Sequence, residues 1–322
     1  MNDIVMFSDI CDNLDKTKLG NKGANLIKMY QNGINVPFGF VITNNVCKDY
    51  FCNEKRISNS HINAIRTALN NMGQKIGKKL GDKRNPLILS IRSGAAISMP
   101  GMMNTILNAG ISEEVLLSQD KEYLYKAYLS FMDDYVESVM NIDLKKRNFE
   151  YRKNNSDYHE LILNRKEELR EKYGVDFDDT ISLNIVNFIG AIFNSWKSEK
   201  AKNYRELKRI SEDLYTAVVI QEMRFGNYNE CSGSGVVFTE NPITHEKELY
   251  GEYMTASQGD AVVSGLGNPK SIDELKTENE IVYAQLINQA QKIEELFGKP
   301  QDIEFTFEDG RLYILQSRDI RI

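Results

Sequence analysis

The chain has 322 residues, 41% of them apolar and 27% charged, with 40 basic against 46 acidic side chains and a net charge of -6. That length admits two domains or one large composite domain. The acidic balance argues against nucleic acid as a general partner, and the sequence presents neither a secretory leader nor a membrane span.

In chain order, the opening MNDIVMFSDICDNL lacks both a basic region and a long apolar core. Residues Leu19–Tyr30, LGNKGANLIKMY, set a glycine-flanked Lys22 ahead of an amphipathic helix. Glycines let backbone approach an anion, and a helix N-terminus favours negative charge, so Lys22 is a candidate phosphate ligand. The plain alternative is a glycine loop with a surface lysine. Phe38–Thr43 reads as a strand, Asn44–Phe51 as a short helix and Ile62–Leu80 as a longer one. Leu87–Ile91 reads as a buried strand with Arg92 at its end. The stretch Ser93–Thr105, SGAAISMPGMMNT, is small, glycine-punctuated and methionine-bearing. It suits a mobile loop closing over a ligand, or a packed loop that caps the core. It is neither GxxxxGKS/T nor GxGxxG, so P-loop ATPases and Rossmann dehydrogenases lose support.

From Ser112 to about Arg209 the pattern is helical. The stripe Leu124, Tyr128, Phe131, Tyr135, Val139 is core spacing. Leu144–Tyr173 is charge-dense, Ile181–Trp196 apolar and Ser198–Ile210 basic. Ala217–Met223 is a buried strand, followed by strands at Val236–Thr239 and Leu249–Ala256. Ser271–Glu295 is an amphipathic helix.

The chain closes on a hairpin, QDIEFTFEDGRLYILQSRDIRI, whose runs Asp302–Phe307 and Arg311–Arg318 flank Glu308-Asp309-Gly310. Alternation puts Asp302 and Glu304 on one face of the first run, and Gln316 and Arg318 on one face of the second. A two-residue Asp-Gly loop pairs Glu308 with Arg311 and sets Glu304 and Gln316 on opposite faces. A three-residue loop pairs Phe307 with Arg311 and Asp302 with Gln316, and gathers all four polar side chains on one face. Gathered, they suit a divalent cation and a polyphosphate. An edge hairpin with one solvated face is the plain alternative.

Four cysteines without CxxC spacing read as reduced cytosolic thiols, and three histidines, His61, His159 and His245, lack metal-ligand spacing.

Taken together, LGNKGANL, LSIRSGAAISMPGMMNT, AVVIQEMRFGN, SGSGVVFTENPITHEKELYGEY and QDIEF…LYILQSR resemble the nucleotide-binding domain of the pyruvate phosphate dikinase and phosphoenolpyruvate synthase family. The resemblance covers almost the whole chain, loosely in the helical middle. It implies an α+β, ATP-grasp fold of two mixed lobes, with nucleotide between the lobes. Residues 1–222 form the first lobe, with a helical excursion over about 112–200, and 223–322 the second. It implies ATP and Mg2+ as cofactors. Lys22 and Arg92 bind the phosphates and, with Arg318, carry the catalytic work. Gly101 and Thr105 lie in the loop above them. Gln221, Glu222 and Met223 form a hinge along adenine, Ser234 replaces a family threonine, and Asp260 matches a glutamate facing the ribose. Asp302, Glu304 and Gln316 hold the metal, with Gln316 and Arg318 also on phosphate.

The implied reaction is phosphoryl transfer from ATP to a histidine on a separate domain or partner protein. None of the three histidines stands in the family's Thr-Ser-His-Ala context, so the pyruvate reaction is not expected of this chain alone. The sequence also departs from the family pattern. Ala96, Glu240 and Gly267 stand where arginines are usual, and Asn104 where an aspartate is. The shift is three units toward negative: three cations lost and one anion gained, less one anion lost. Two other readings stay open, a nucleotide-binding regulatory module without turnover and a stand-alone small-molecule kinase.

Overall fold

The computed structural model describes residues 2–10, 14–144, 157–259, 262 and 268–320. The protein is α+β, built on two five-stranded antiparallel sheets, each in its own compact unit. Unit 1 comprises Met1–Met6, Asp15–Gly23 and Gly39–Met223; unit 2 comprises Phe7–Leu14, Ala24–Phe38 and Arg224–Ile322. Both units are therefore discontinuous, where the sequence reading divides the chain once, near residue 222.

In unit 1 the sheet runs β1 (Ile4–Met6), β2 (Gly39–Ile42), β5 (Thr216–Glu222), β3 (Leu89–Ala95), β4 (Thr105–Ala109). Every residue of the central β5, TAVVIQE, is buried, as its apolar, β-branched run requires. Helix α2 (Asn44–Cys52) packs on β5, and α3 (Asn59–Ile76) on β1 and β2. The helical stretch resolves into α4 (Glu113–Gln119), α5 (Glu122–Ser138), α6 (Tyr158–Tyr173), α7 (Asp179–Ser182), α8 (Ile185–Trp196) and α9 (Glu199–Lys208). Polar N-caps start five of them: Ser112, Asp157, Asp178, Asn184 and Ser198 each accept backbone N–H donation. The almost wholly apolar α8 packs on β3, β4 and β5, and α5 on β4. Edge-on contacts join Phe131 and Tyr135 to both Phe177 and Phe188. The charge-dense α6 joins this core through a buried pair, Arg165 Nη2 to Asp133 Oδ1 at 2.5 Å.

Cys47, on α2, is fully buried, and that burial pushes its thiol up to about 12. At pH 8 the Cys47 thiol therefore stays protonated, the form that does not react as a nucleophile. Maleimide labelling read by peptide mass is therefore expected to mark the exposed Cys52 and Cys231 and to spare Cys47 until unfolding. Labelling of all three at equal rates would refute that burial.

In unit 2 the sheet runs β10 (Arg311–Asp319), β9 (Gln301–Glu308), β6 (Gly233–Phe238), β7 (Tyr250–Thr255), β8 (Lys270–Ser271). Helices α10 (Ile272–Glu278) and α11 (Glu280–Phe297) cover it, α10 against β7 and β8, α11 against β9 and β10. A capping box, Ser271 with Glu274, starts α10. Gly233 and Gly235 are required by packing. A Cβ there would lie 2.4 Å from the Phe307 ring and 2.6 Å from the Phe305 ring. The edge strand β10 is protected by the N-terminal segment Ala24–Phe38. Asn35 O accepts from Ile314 N at 2.9 Å, Asn35 Nδ2 donates to Leu312 O, and Asn25 Nδ2 donates to Ser317 O at 3.0 Å. Those bonds, with Lys28 Nζ to Leu296 O and Asn35 N to Gln289 Oε1, tie this early segment to unit 2.

Among the described residues, no helix is long and apolar enough to cross a membrane.

Candidate functional site

Unit 1 carries the first group of expected ligands. Strand β3 runs on to Ala95, so Arg92 lies mid-strand rather than at its end, opposite Thr105 of β4 and Val219 of β5. The Arg92 side chain is buried, 8% exposed, and its Nη2 donates to Gln221 Oε1 at 2.5 Å. Helix α1 (Lys16–Gln31) is broken at Gly20, which takes φ 68°, ψ 159°. The break makes Lys22 part of a fresh first helical turn, the position that favours an anion. It also brings backbone against backbone: a Cβ on Gly20 would lie 1.8 Å from Gly94 O, and one on Gly94 would lie 3.8 Å from Lys22 Cβ. Gly94 N is in turn held by Thr216 Oγ1 at 3.2 Å. Lys22 and the Arg92 strand are thus neighbours through two glycines.

The expected hinge is engaged in the sheet. Gln221 pairs with Gly39 on one side and Ser90 on the other, and Met223 N donates to Ile88 O at 2.9 Å. Glu222 is buried with its carboxylate 2.8 Å from Lys78 Nζ. What the sequence reading missed is the Gln221 side chain as the partner of Arg92. Gly101 sits at φ 65° in the loop between β3 and β4. That loop packs through Met99, 6% exposed, while Ile97, Pro100 and Gly101 are exposed.

Unit 2 carries the second group, and the hairpin corrects one expectation. The loop is the two-residue form: Glu308 pairs with Arg311, and Asp309 and Gly310 take φ 50° and 75°, as a type I′ turn requires. Yet Glu304 and Gln316 do not fall on opposite faces. A bulge between Ile314 and Gln316 inserts Leu315 and shifts the register by one, so Gln316 faces Glu304 and Arg318 faces Asp302. The four polar side chains share one face by a bulge, not by a three-residue loop. Gln316 Nε2 donates to Glu304 Oε1 at 3.0 Å, and Arg318 Nε to Asp302 Oδ2 at 2.7 Å. The turn end is pinned by Glu308, which accepts from Phe225 N at 2.6 Å and Arg224 Nη1 at 3.2 Å.

Ser234 is fully buried, and its hydroxyl lies 2.5 Å from that of Thr306. Thr306 shares the face of Asp302 and Glu304. Alternation alone would have found it. Asp260 and Gly267 lie outside the described residues.

Among the described residues no cluster of three or more His, Cys, Asp or Glu side chains is placed to hold a metal. Two carboxylates are a sufficient protein share for Mg2+, which binds one or two of them and takes the rest from phosphate and water. The fit is also supported by an orphan: Asp302 Oδ1 is buried and has no hydrogen-bond partner among the described residues.

The model of the pyruvate phosphate dikinase, AMP/ATP-binding domain, matches residues 53–289 and 274–322. The chain belongs to the pyruvate phosphate dikinase family. It is 37% identical to the pyruvate, phosphate dikinase of Clostridium symbiosum, over 94% of this chain and 37% of that protein. Pyruvate, phosphate dikinase 2 of Oryza sativa subsp. japonica is 37% identical over 94% of this chain and 36% of its own length. The chloroplastic pyruvate, phosphate dikinase 1 of Arabidopsis thaliana is 36% identical over 94% and 33%. The chain thus spans about a third of the length of these dikinases.

Two of the departures from the dikinase pattern have local partners. Glu240 Oε1 lies 3.4 Å from His245 Nδ1. Asn104 Nδ2 donates to Ser138 O at the end of α5, at 3.1 Å, where an aspartate would meet a carbonyl instead.

Proposed function

We propose that this dikinase-family chain binds ATP with Mg2+ and passes a phosphoryl group to a histidine on a separate domain or partner protein. The observation that carries the reading is the polar face of β9 and β10, where Gln316 pairs with Glu304 and Arg318 with Asp302, whose buried Oδ1 has no partner among the described residues. An ATP-grasp architecture belongs to the same proposal, supported by the two antiparallel sheets. So does a cytosolic setting.

In this reading Lys22 and Arg92 neutralise phosphate oxygens, with Gln221 holding the Arg92 guanidinium in plane. Asp302 and Glu304 hold Mg2+, oriented by Arg318 and Gln316. When bound, the cation supplies charge neutralisation on the phosphates. The residues position and neutralise, and none becomes covalently attached. The relatives act on pyruvate and phosphate, as their names state; on this chain, that step requires the acceptor domain.

Calorimetric titration of MgATP is the test. The protein is expected to bind saturably. Lys22→Ala is expected to weaken binding about tenfold to a hundredfold, the worth of a charged hydrogen bond of roughly 1.5–3 kcal/mol. A folded wild-type protein that leaves MgATP unbound would overturn the reading. Added phosphohistidine domain is then expected to accept the label from γ-labelled or β-labelled ATP.

A second reading has one observation in its favour, the acidic Glu240 and neutral Ala96 where the dikinases carry arginine. It is a module that binds nucleotide without turnover. Binding without label transfer to any histidine domain would select it.

A further inference from the structure

The strap joining β3 to β4, residues 96–104, carries three thioethers and no charge. Met99 is buried in a cluster with Ala95, Trp196 and Ala201, and Met102 and Met103 pack half-buried against that cluster. Phe51 and Tyr215, stacked with centroids 6.1 Å apart, and Tyr204 pack on the same cluster. The apex, Pro100 and Gly101, is exposed. Two polar tethers hold the far end: Asn104 N donates to Ser195 Oγ at 3.3 Å and Asn104 Nδ2 to Ser138 O. Between Ala95 and Asn104 the strap is therefore seated by apolar contact.

We propose that Met102 and Met103 are oxidation sites that act as a latch: conversion to the sulfoxide unseats the strap from the Trp196 cluster. The oxidant class is a hydroperoxide. A sulfur lone pair attacks the distal oxygen, the O–O bond breaks, and the sulfur–oxygen bond forms. Sulfur loses two electrons, the proton of the transferred oxygen passes to the leaving oxygen, and the hydroperoxide is reduced to its alcohol, or to water where it is hydrogen peroxide. The product is a strongly polar group where a thioether was packed, and the apolar contacts no longer compensate its desolvation. Half-burial makes Met102 and Met103 accessible to peroxide ahead of Met99. The proposal does not rest on the nucleotide reading, because its readout is optical.

Trp196 is the only tryptophan in the chain, fully buried, with its Nε1 donating to Glu212 O at 3.2 Å and the Arg205 guanidinium 4.2 Å over its ring. The full chain is treated with graded hydrogen peroxide. Sulfoxide at each of the eleven methionines is followed by peptide mass, and Trp196 by emission maximum and acrylamide quenching. Sulfoxide at Met102 and Met103 is expected to precede that at Met99 and to coincide with a red shift and a several-fold rise in quenching. Methionine sulfoxide reductases, which leave oxidised cysteine alone, are expected to reverse both. The double variant Met102→Leu, Met103→Leu keeps volume and apolarity, and is expected to hold its native emission under the same peroxide. Unchanged emission with both sulfoxides formed would overturn the proposal, as would an equal red shift in the leucine variant.

Discussion

Gly20→Ala is expected to cost on the order of 4 kcal/mol of stability, because strain and overlap combine there. Two independent terms contribute. The backbone at φ 68°, ψ 159° lies where L side chains are strained. The added methyl would also sit 1.8 Å from Gly94 O, and that oxygen is backbone of the central sheet rather than a side chain that can swing away. Relief requires moving the start of α1, and Lys22 with it, off the Arg92 strand. Gly77→Ala provides the control, since Gly77 has a similar φ of 71° but nothing within 4 Å of the added methyl. It is expected to cost about 1 kcal/mol, the strain alone. Urea unfolding followed by Trp196, which lies in unit 1, measures both. Equal midpoints for the two variants would mean that the Gly20–Gly94 contact is absent in solution. In the reading of the chain as an ATP-binding domain, Gly20→Ala also weakens MgATP binding at temperatures where it remains folded.

Glu304→Gln is expected to lower the affinity for MgATP by roughly thirtyfold, about 2 kcal/mol, while changing stability little. One carboxylate beside a divalent cation is worth several kcal/mol at an effective dielectric near 20, and part of that is offset by the carboxylate's own dehydration. The substitution keeps the shape and an oxygen able to accept from Gln316 Nε2, so the β9–β10 ladder is retained. The decisive comparison is with metal-free ATP, whose binding is expected to be weaker in the wild type and nearly unaffected by the substitution. If Glu304→Gln bound MgATP as tightly as the wild type, the metal role of this face would be wrong. Asp302→Asn differs in kind. It removes the anionic partner of Arg318, 2.7 Å away, and so combines loss of a metal ligand with an uncompensated guanidinium.

Much of the local architecture was legible in the residues. Alternation located β9 and β10, the apolar run Ala217–Met223 located β5, and helical spacing located α5 and α8. The motif RSGA…SMPGMM, with the other stretches, identified the family. These signals are local, because a strand or helix writes its period into neighbouring residues. What the tertiary structure decided was pairing and register. The two-residue Asp309-Gly310 loop was a legible alternative, but the bulge at Leu315 that returns Gln316 to the face of Glu304 was not. It follows from how β10 lies against β9, and it leaves no periodic trace. The Arg92–Gln221 bond joins residues 129 apart, so no window of sequence contains both. Ala24–Phe38 reads as a helix and its exit; only its contacts with the edge of β10 and with α11 tie it to unit 2. The strap shows the same division. Its composition suited a mobile loop and a packed one alike, and the Trp196 cluster, built from distant helices, supplied the contact energy that seats it. Sequence by itself determined which elements form and which family they belong to, because both depend on neighbouring residues. The tertiary structure alone decided which side chains meet, because that depends on contacts between segments far apart in the chain.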